Sequence, residues 1–245
     1  MWSGFFKRPQ RFVFSTPEER EFLHRRFPTT TLEGEVIGVG IDIPGTPLAR
    51  RFMGRFGITN HYVLYLGRID EAKNCHALIA YFDHFKQHID REGSDLILLL
   101  LGREAMPIPT RPWMRHLGFV DEQTKFDALA GCEALIMPSQ LESLSLVLLE
   151  SWAVGKPVLV NEASDVLVGQ CRRSQGGLWF SDRDEFGVAL SKIVYDVGAV
   201  LGRNGKRFVA ERYTWPAVID AYQRTLTRGA ATSHEIVHDV GVRTE

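Results

Sequence analysis

Several short runs in this chain are apolar from end to end. The plainest is Leu96-Ile97-Leu98-Leu99-Leu100-Leu101-Gly102, seven residues between Asp95 and Arg103. It falls far short of the roughly 20 residues that a membrane-spanning helix needs, so it reads as a buried strand. A strand apolar on both faces must be covered on both, which places it inside a parallel sheet with helices above and below. Similar runs at 12–15, 36–39, 62–67, 117–120, 134–137, 157–160 and 178–180 alternate with longer amphipathic stretches at 17–26, 74–91, 122–131, 144–154 and 183–197. A largely helical segment then continues to about residue 228. That alternation predicts βαβ units and an α/β, Rossmann-like parallel sheet with helices on both faces.

A length of 245 residues allows one to two domains, and 44% apolar with 24% charged residues is ordinary for a globular chain rather than a disordered one. Lys plus Arg (29) balance Asp plus Glu (30), so no charge excess draws the chain to nucleic acid or an anionic bilayer. No apolar segment followed by a cleavage site opens the sequence, and no secretory signal is expected. Cys75, Cys132 and Cys171 stand far apart without a Cys-x-x-Cys pair, which suits a reducing cytoplasm better than zinc or redox chemistry. Ser15-Thr16-Pro17-Glu18-Glu19 has the hydroxyl, proline and acids of a helix start. The loop Asp42-Ile43-Pro44-Gly45-Thr46-Pro47 predicts a boundary near residue 45, separating 1–45 from a domain over 46–228, with 229–245 as a flexible tail.

Two segments hold the candidate chemistry. The first, Tyr62 to Asn74, is an apolar strand ending at Gly67, where backbone can approach a ligand closely, followed by Arg68 and Lys73. The fork of Arg68 and the point charge of Lys73 suit a diphosphate, although Asp70 and Glu71 could equally neutralise them as surface ion pairs. The second, Pro138 to Val158, reads as strand, loop, helix, strand. Its loop falls at the carboxyl edge of the sheet, where α/β folds bind ligands. Amides of Ser145, Leu146 and Val147 at the helix start are ready for an anion. Glu142 precedes that helix. Glu150 lies within it among apolar neighbours and needs a partner: either a nearby Lys or Arg, or solvent, or the hydroxyls of a ribose.

Together these segments resemble the nucleotide-binding domain of GT-B glycosyltransferases of the retaining family 4 type. The likeness rests on Gly67-Arg68 with Lys73, Leu117-Gly118-Phe119-Val120, Pro138-Ser139, the pair Glu142 and Glu150, and Gly155-Lys156-Pro157-Val158, in that order between about 40 and 222. The resemblance implies transfer of a sugar from a UDP-, GDP- or ADP-sugar. Arg68 and Lys73 would grip the diphosphate, Glu142 would lie near the donor sugar and Glu150 would hold the ribose. Gly67, Ser145 and Leu146 would meet the phosphates, and the loop through Val120 would meet the base. It implies neither metal nor cofactor, because cations and amides replace them.

Where many members have Phe-Gly after the first acid, this chain has Leu144-Ser145. Such enzymes also have two Rossmann-like halves, and residues 1–45 look like the last βα unit and linker strand of the N-terminal one. The expectation is therefore a donor-binding half, excised or naturally separate, with little transfer activity unless an N-terminal half or partner chain completes it. The alternative is a non-catalytic nucleotide-binding or interaction module of the same fold. A two-Rossmann epimerase fragment fits the acids and cations less well.

Other motifs carry less. His234-Glu235-Ile236-Val237-His238 matches a zinc-protease pattern but has little chain after it for a third ligand, and His84 and His88 also form a pair without a third. Gly38-Val39-Gly40 lacks the third glycine and the helix of a dinucleotide fingerprint. The aromatic stripe Tyr213, Trp215, Tyr222 reads as helix packing, either on residues 1–45 or left exposed for self-association.

Overall fold

The computed structural model describes residues 9, 11–91 and 93–238, with side chains as far as residue 227. It divides into two compact units, Met1–Gly40 with Arg212–Glu245, and Ile41–Glu211. The division at Gly40 falls a few residues before the boundary expected near 45, and the C-terminal helix groups with the first unit instead of with the larger one.

In the first unit, β1 (Phe12–Phe14) pairs in parallel with β2 (Gly34–Val36), and α1 (Pro17–Arg26) joins them. The helix start follows its sequence: Thr16 Oγ1 accepts the Glu19 amide (3.2 Å) and Glu19 Oε2 accepts the Ser15 amide (2.6 Å), a reciprocal cap. The second strand lies at 34–36 instead of 36–39. Aromatic rings at and just before the start of the final helix, Trp215–His238, rest on glycine backbone: a Cβ on Gly38 would meet the Tyr213 ring at 2.4 Å, and one on Gly40 the Trp215 ring at 2.4 Å. Tyr213 and Trp215 therefore pack on the N-terminal segment, and Trp215 and Tyr222 each keep an exposed side. Residues 229–238, expected in the tail, continue this helix, while 239–245 lie outside the described residues.

The larger unit is a six-stranded sheet, parallel throughout: β3 (Tyr62–Leu66), β4 (Ile97–Leu101), β5 (Met114–His116), β6 (Leu135–Met137), β7 (Val158–Asn161) and β8 (Gly177–Phe180), in the order β5-β4-β3-β6-β7-β8. Every residue of β3, β4, β6 and β7 is buried, as the unbroken apolar runs require. One face packs Val63, Tyr65, Leu98 and Leu100 against Phe82 and Phe85 of α3 (Cys75–His88) and Phe186 of α7 (Arg183–Lys192). The third strand, expected at 117–120, closes earlier because its pairing with β4 ends at Leu100 opposite His116. The order runs outward in both directions from the β3/β6 junction, and such a switch point leaves a crevice at the carboxyl ends of the two strands.

Two helices have no counterpart in the sequence reading, α2 (Ala49–Phe56) and α6 (Asp165–Ser174), and both are held by tertiary polar contacts. Within the stretch expected as one helix over 183–197, α7 gives way at Ile193 to a π-helical turn that carries Tyr195, whose hydroxyl donates to Asp90 (2.7 Å). Next come α8 (Gly198–Arg212) and then α9, the Trp215–His238 helix. Among the described residues no helix is long and apolar enough to cross a membrane.

The second helix, α2, depends on Asp127 of α4 (Glu122–Gly131). The Asp127 side chain is 2% exposed and accepts from the Leu48 amide (2.7 Å), Gln123 Nε2 (3.1 Å) and Arg51 Nη2 (2.6 Å). Burial alone would push this carboxyl up, but the Arg51, Leu48 and Gln123 donors outweigh it and hold it below the ordinary carboxylate range. A depressed folded-state pKa contributes stability above the unfolded value, near 4, and loses it as pH falls through the folded value. Asp127→Ala should therefore cost about 1–3 kcal/mol at neutral pH, discounted toward the lower end because Arg51 is half-exposed. Denaturant titrations should show the gap to wild type shrinking as pH falls below about 4.

Candidate functional site

At the carboxyl edge of the sheet the first constraint is backbone. Strands β3 and β4 end in Gly67 (φ +145°) and Gly102 (φ +146°), and a Cβ on Gly102 would lie 1.8 Å from the Gly67 carbonyl oxygen. No side chain fits between these two chain ends. Beyond them lies a cavity of about 420 Å³ lined by Gly67, Arg68, Gly102, Arg103, Phe119 and Val120 on one side and by Glu122, Lys125 and Val147 on the other. Phe119, 85% exposed, stands at its mouth on the turn through Gly118 (φ +72°).

The segment after β3 is pinned from below. Arg68 offers its carbonyl to the Tyr65 hydroxyl (2.7 Å) and to Cys75 Sγ (3.9 Å). Burial pushes the Tyr65 phenol up, reinforced by its hydrogen bond with Cys75, so it remains a donor. Asp70 accepts the Lys73 amide (2.8 Å) and pairs with the Arg68 guanidinium. The neutralising partner anticipated for Arg68 is thus present, and 60% of its side chain stays exposed. Asn74, in the left-handed region (φ 58°), sends its side-chain amide to the Pro138 carbonyl (3.2 Å). Asn161 at the end of β7 donates to the same oxygen (3.1 Å), so the start of α3 and the end of β7 converge on one acceptor just past β6.

Lys73 crosses the switch point. Its Nζ lies 2.7 Å from Glu142 Oε1 in the loop after β6, joining the two segments that the sequence singled out. Glu142 is 13% exposed and Lys73 35%, so the pair is shielded without being sealed. The following helix, α5 (Leu146–Ala153), starts at Ser145, which holds φ 63° with no side-chain cap. That conformation costs a residue with a Cβ roughly 1–2 kcal/mol, which is why glycine would suit this position and why serine strains the turn. The first-turn amides, Leu146 among them, have no acceptor within the helix.

Glu150 has the cationic partner that the sequence left as one alternative. Lys125 Nζ reaches its Oε1 at 2.8 Å and also Glu122 Oε2 at 2.7 Å, while among the described residues Glu150 Oε2 is buried without a hydrogen bond. Glu150 therefore sits behind the cavity wall instead of lining it. Gly67, Arg68 and Val120 line the cavity, Lys73 and Glu142 pair beside the switch point, and Ser145 and Leu146 open α5. Lys125, Arg103 and Gly102 were not singled out from sequence; Lys125 follows a plain helix cap at Asp121, and its partner Glu150 lies 25 positions away.

The decoys stay apart from this site. His84 and His88 lie ring to ring (4.6 Å), and burial pulls the His84 pKa down. Cys75, Cys132 and Cys171 are free and buried, and burial pushes the Cys132 thiol up to about 12. Among the described residues no three His, Cys, Asp or Glu side chains converge as metal ligands do. The side chains of His234 and His238 lie outside the described residues.

The glycine contact yields a direct test. Gly102→Ala should destabilise the fold by about 1–3 kcal/mol from backbone conformation alone, with the collision against Gly67 adding to it. An unchanged melting temperature would show that the two strand ends are not in contact.

The glycosyl transferases group 1 family model matches residues 60–196, more than half of the chain. The lipopolysaccharide core biosynthesis glycosyltransferase LpsE of Rhizobium meliloti is 28% identical over 185 residues, 67% of this chain and 49% of its own length. An uncharacterized glycosyltransferase of Methanocaldococcus jannaschii is 24% identical over 164 residues, 62% of this chain and 41% of its own. The chain thus spans about half the length of these curated relatives. In fold it is similar to sucrose-phosphate synthase from Thermosynechococcus elongatus (TM-score 0.76, 20% identity, 94% of this chain and 61% of that one). It is also similar to Anabaena HepE, solved with UDP and glucose (TM-score 0.71, 15% identity, 94% and 65%). The match over residues 60–196 makes this chain a member of the group 1 glycosyl transferases, and its parallel sheet with a switch-point crevice shares the fold of these solved enzymes.

Proposed function

We propose that this chain is the donor-binding part of a retaining glycosyltransferase of the family 4 type, which transfers a sugar from a nucleotide-diphosphate sugar to an acceptor. The observation that carries the reading is the 2.7 Å Lys73–Glu142 pair across the β3/β6 switch point, beside a cavity floored by two glycines. A diphosphate in that crevice would meet Arg68, Lys73 and the free amides opening α5. A sugar beyond it would meet Glu142. As the glycosidic bond breaks, negative charge grows on the leaving diphosphate, and fixed cations and amides stabilise that charge without reorganising. They stand in for a metal, so the reading includes neither metal nor cofactor. The nucleoside would occupy the cavity between Phe119, Val120 and Val147, with Glu150 as the ribose acceptor. That HepE was solved with UDP supports UDP as the first donor nucleotide to try, beside GDP and ADP.

The acceptor pocket and remaining catalytic groups would come from an N-terminal half, within a longer chain or as a partner. Residues 1–45 then belong to that half, and this polypeptide alone binds donor but transfers little. Three free, buried cysteines support a cytoplasmic site of action. A second reading, an interaction module that has lost the chemistry, draws on the self-pairing of the site: Arg68 with Asp70, Lys73 with Glu142, Glu150 with Lys125.

Calorimetric titration with UDP, GDP, ADP and uridine tests both. One diphosphate should bind, and replacing Arg68 and Lys73 together by Ala should weaken it far more than it weakens the nucleoside; equal losses would remove the diphosphate clamp. Glu150→Ala should weaken the nucleotide by about 1–3 kcal/mol, the worth of hydrogen bonds to a charged acceptor. Folded protein unmoved by every diphosphate would select the interaction module.

A further inference from the structure

Glu150 presents an imbalance that the fold does not resolve. Its Oε1 is taken by Lys125 at 2.8 Å, whereas Oε2 is buried and has no donor among the described residues. A buried carboxylate oxygen without a donor is costly, and native structures keep one mainly where something absent from the coordinates completes it. Lys125 is 16% exposed, held at its outer side by Glu122 (2.7 Å), and its side chain forms part of the cavity wall with Val147, which lies one helical turn before Glu150. The carboxylate is therefore gripped at one oxygen from a second helix while the other has nothing to accept. A hydroxyl reaching Oε2 from the cavity would enter beside Lys125 and Val147, the wall residues that neighbour Glu150 in space and along α5.

With this cavity taken as the nucleotide site proposed for it, we infer that Lys125 is the positioning residue of the ribose acceptor. It fixes Glu150 through Oε1, offsets its buried charge, and reserves Oε2 for a hydroxyl of a ribonucleoside diphosphate. Glu122 completes the device: exposed at 72%, it holds the ammonium from the solvent side and keeps Lys125 in place when the ligand enters. The hydroxyl assigned to Oε2 is the 2′-hydroxyl, which makes the site selective for ribose over deoxyribose: a 2′-deoxy ligand keeps its 3′-hydroxyl but brings no donor to Oε2.

The test compares UDP, GDP and ADP with their 2′-deoxy counterparts on the wild type, Lys125→Met and Lys125→Arg. The wild type should bind its ribonucleotide about tenfold or more tightly than the deoxy form, the share of one hydrogen bond to a charged acceptor. Lys125→Met should bring that ratio toward unity, and Lys125→Arg, which keeps the charge and the donors, should restore it. A lysine that only supported the fold would weaken both ligands alike and leave the ratio untouched; that result, or a wild type that does not tell ribose from deoxyribose, overturns the positioning role while leaving nucleotide binding intact. A folded wild type that binds no diphosphate overturns the donor-site reading and this role with it. Should the methionine variant fail to fold, Lys125→Gln, neutral and shorter, replaces it in the same comparison.

Discussion

The meeting of Gly67 and Gly102 sets the geometry on which the rest of the site depends. Strands β3 and β4 run in register from Tyr62 opposite Ile97 to Leu66 opposite Leu101, and the chain then turns at both ends with backbone nearly touching backbone. Because no Cβ intervenes, the loops after both strands can stay paired, with the Ile69 amide donating to the Arg103 carbonyl and the Ala105 amide to the Ile69 carbonyl (both 2.9 Å). That continuation carries Arg68 and Arg103 to the cavity rim and leaves a floor with no side chains. A ligand can approach main chain only where side chains are missing.

On this floor the charges are arranged in bridges between elements. Lys73 ties the loop after β3 to the loop after β6, Lys125 ties α4 to α5, and Arg51 ties α2 to α4. The three differ in what they leave over. Asp127 is saturated by four donors and acts as an anchor. Glu142 and Glu150 each engage one lysine through one oxygen. A saturated acid holds structure together, whereas these two keep acceptor capacity on the oxygen that the lysine leaves.

Much of the fold was legible in the chain. The strands 62–67, 96–101, 134–137, 157–160 and 178–180 and the helices 17–26 and 122–131 fall where expected to within a residue or two, because complete burial imposes unbroken apolar runs and the caps Thr16 and Asp121 mark their helices. The strand at 114–116 was misplaced because Met114-Arg115-His116 does not look apolar; its edge position covers only part of it. Helices α2 and α6 leave little trace in the chain, since their burial is slight or one-sided and their anchors, such as Asp127, are distant in sequence.

The sequence by itself determined the parallel α/β class and the strand-ending glycine at 67, and it singled out Arg68, Lys73, Glu142 and Glu150 as candidates, because these follow from local pattern and from family likeness. Only the tertiary structure decided which charges meet. Residues 69 positions apart, Lys73 and Glu142, become one pair, and Glu150 is held by Lys125 with one oxygen still unmatched. Electrostatic pairing depends on separation in space, and in a sheet whose order reverses between β3 and β6 that separation is set by strand order, which no local stretch of sequence encodes.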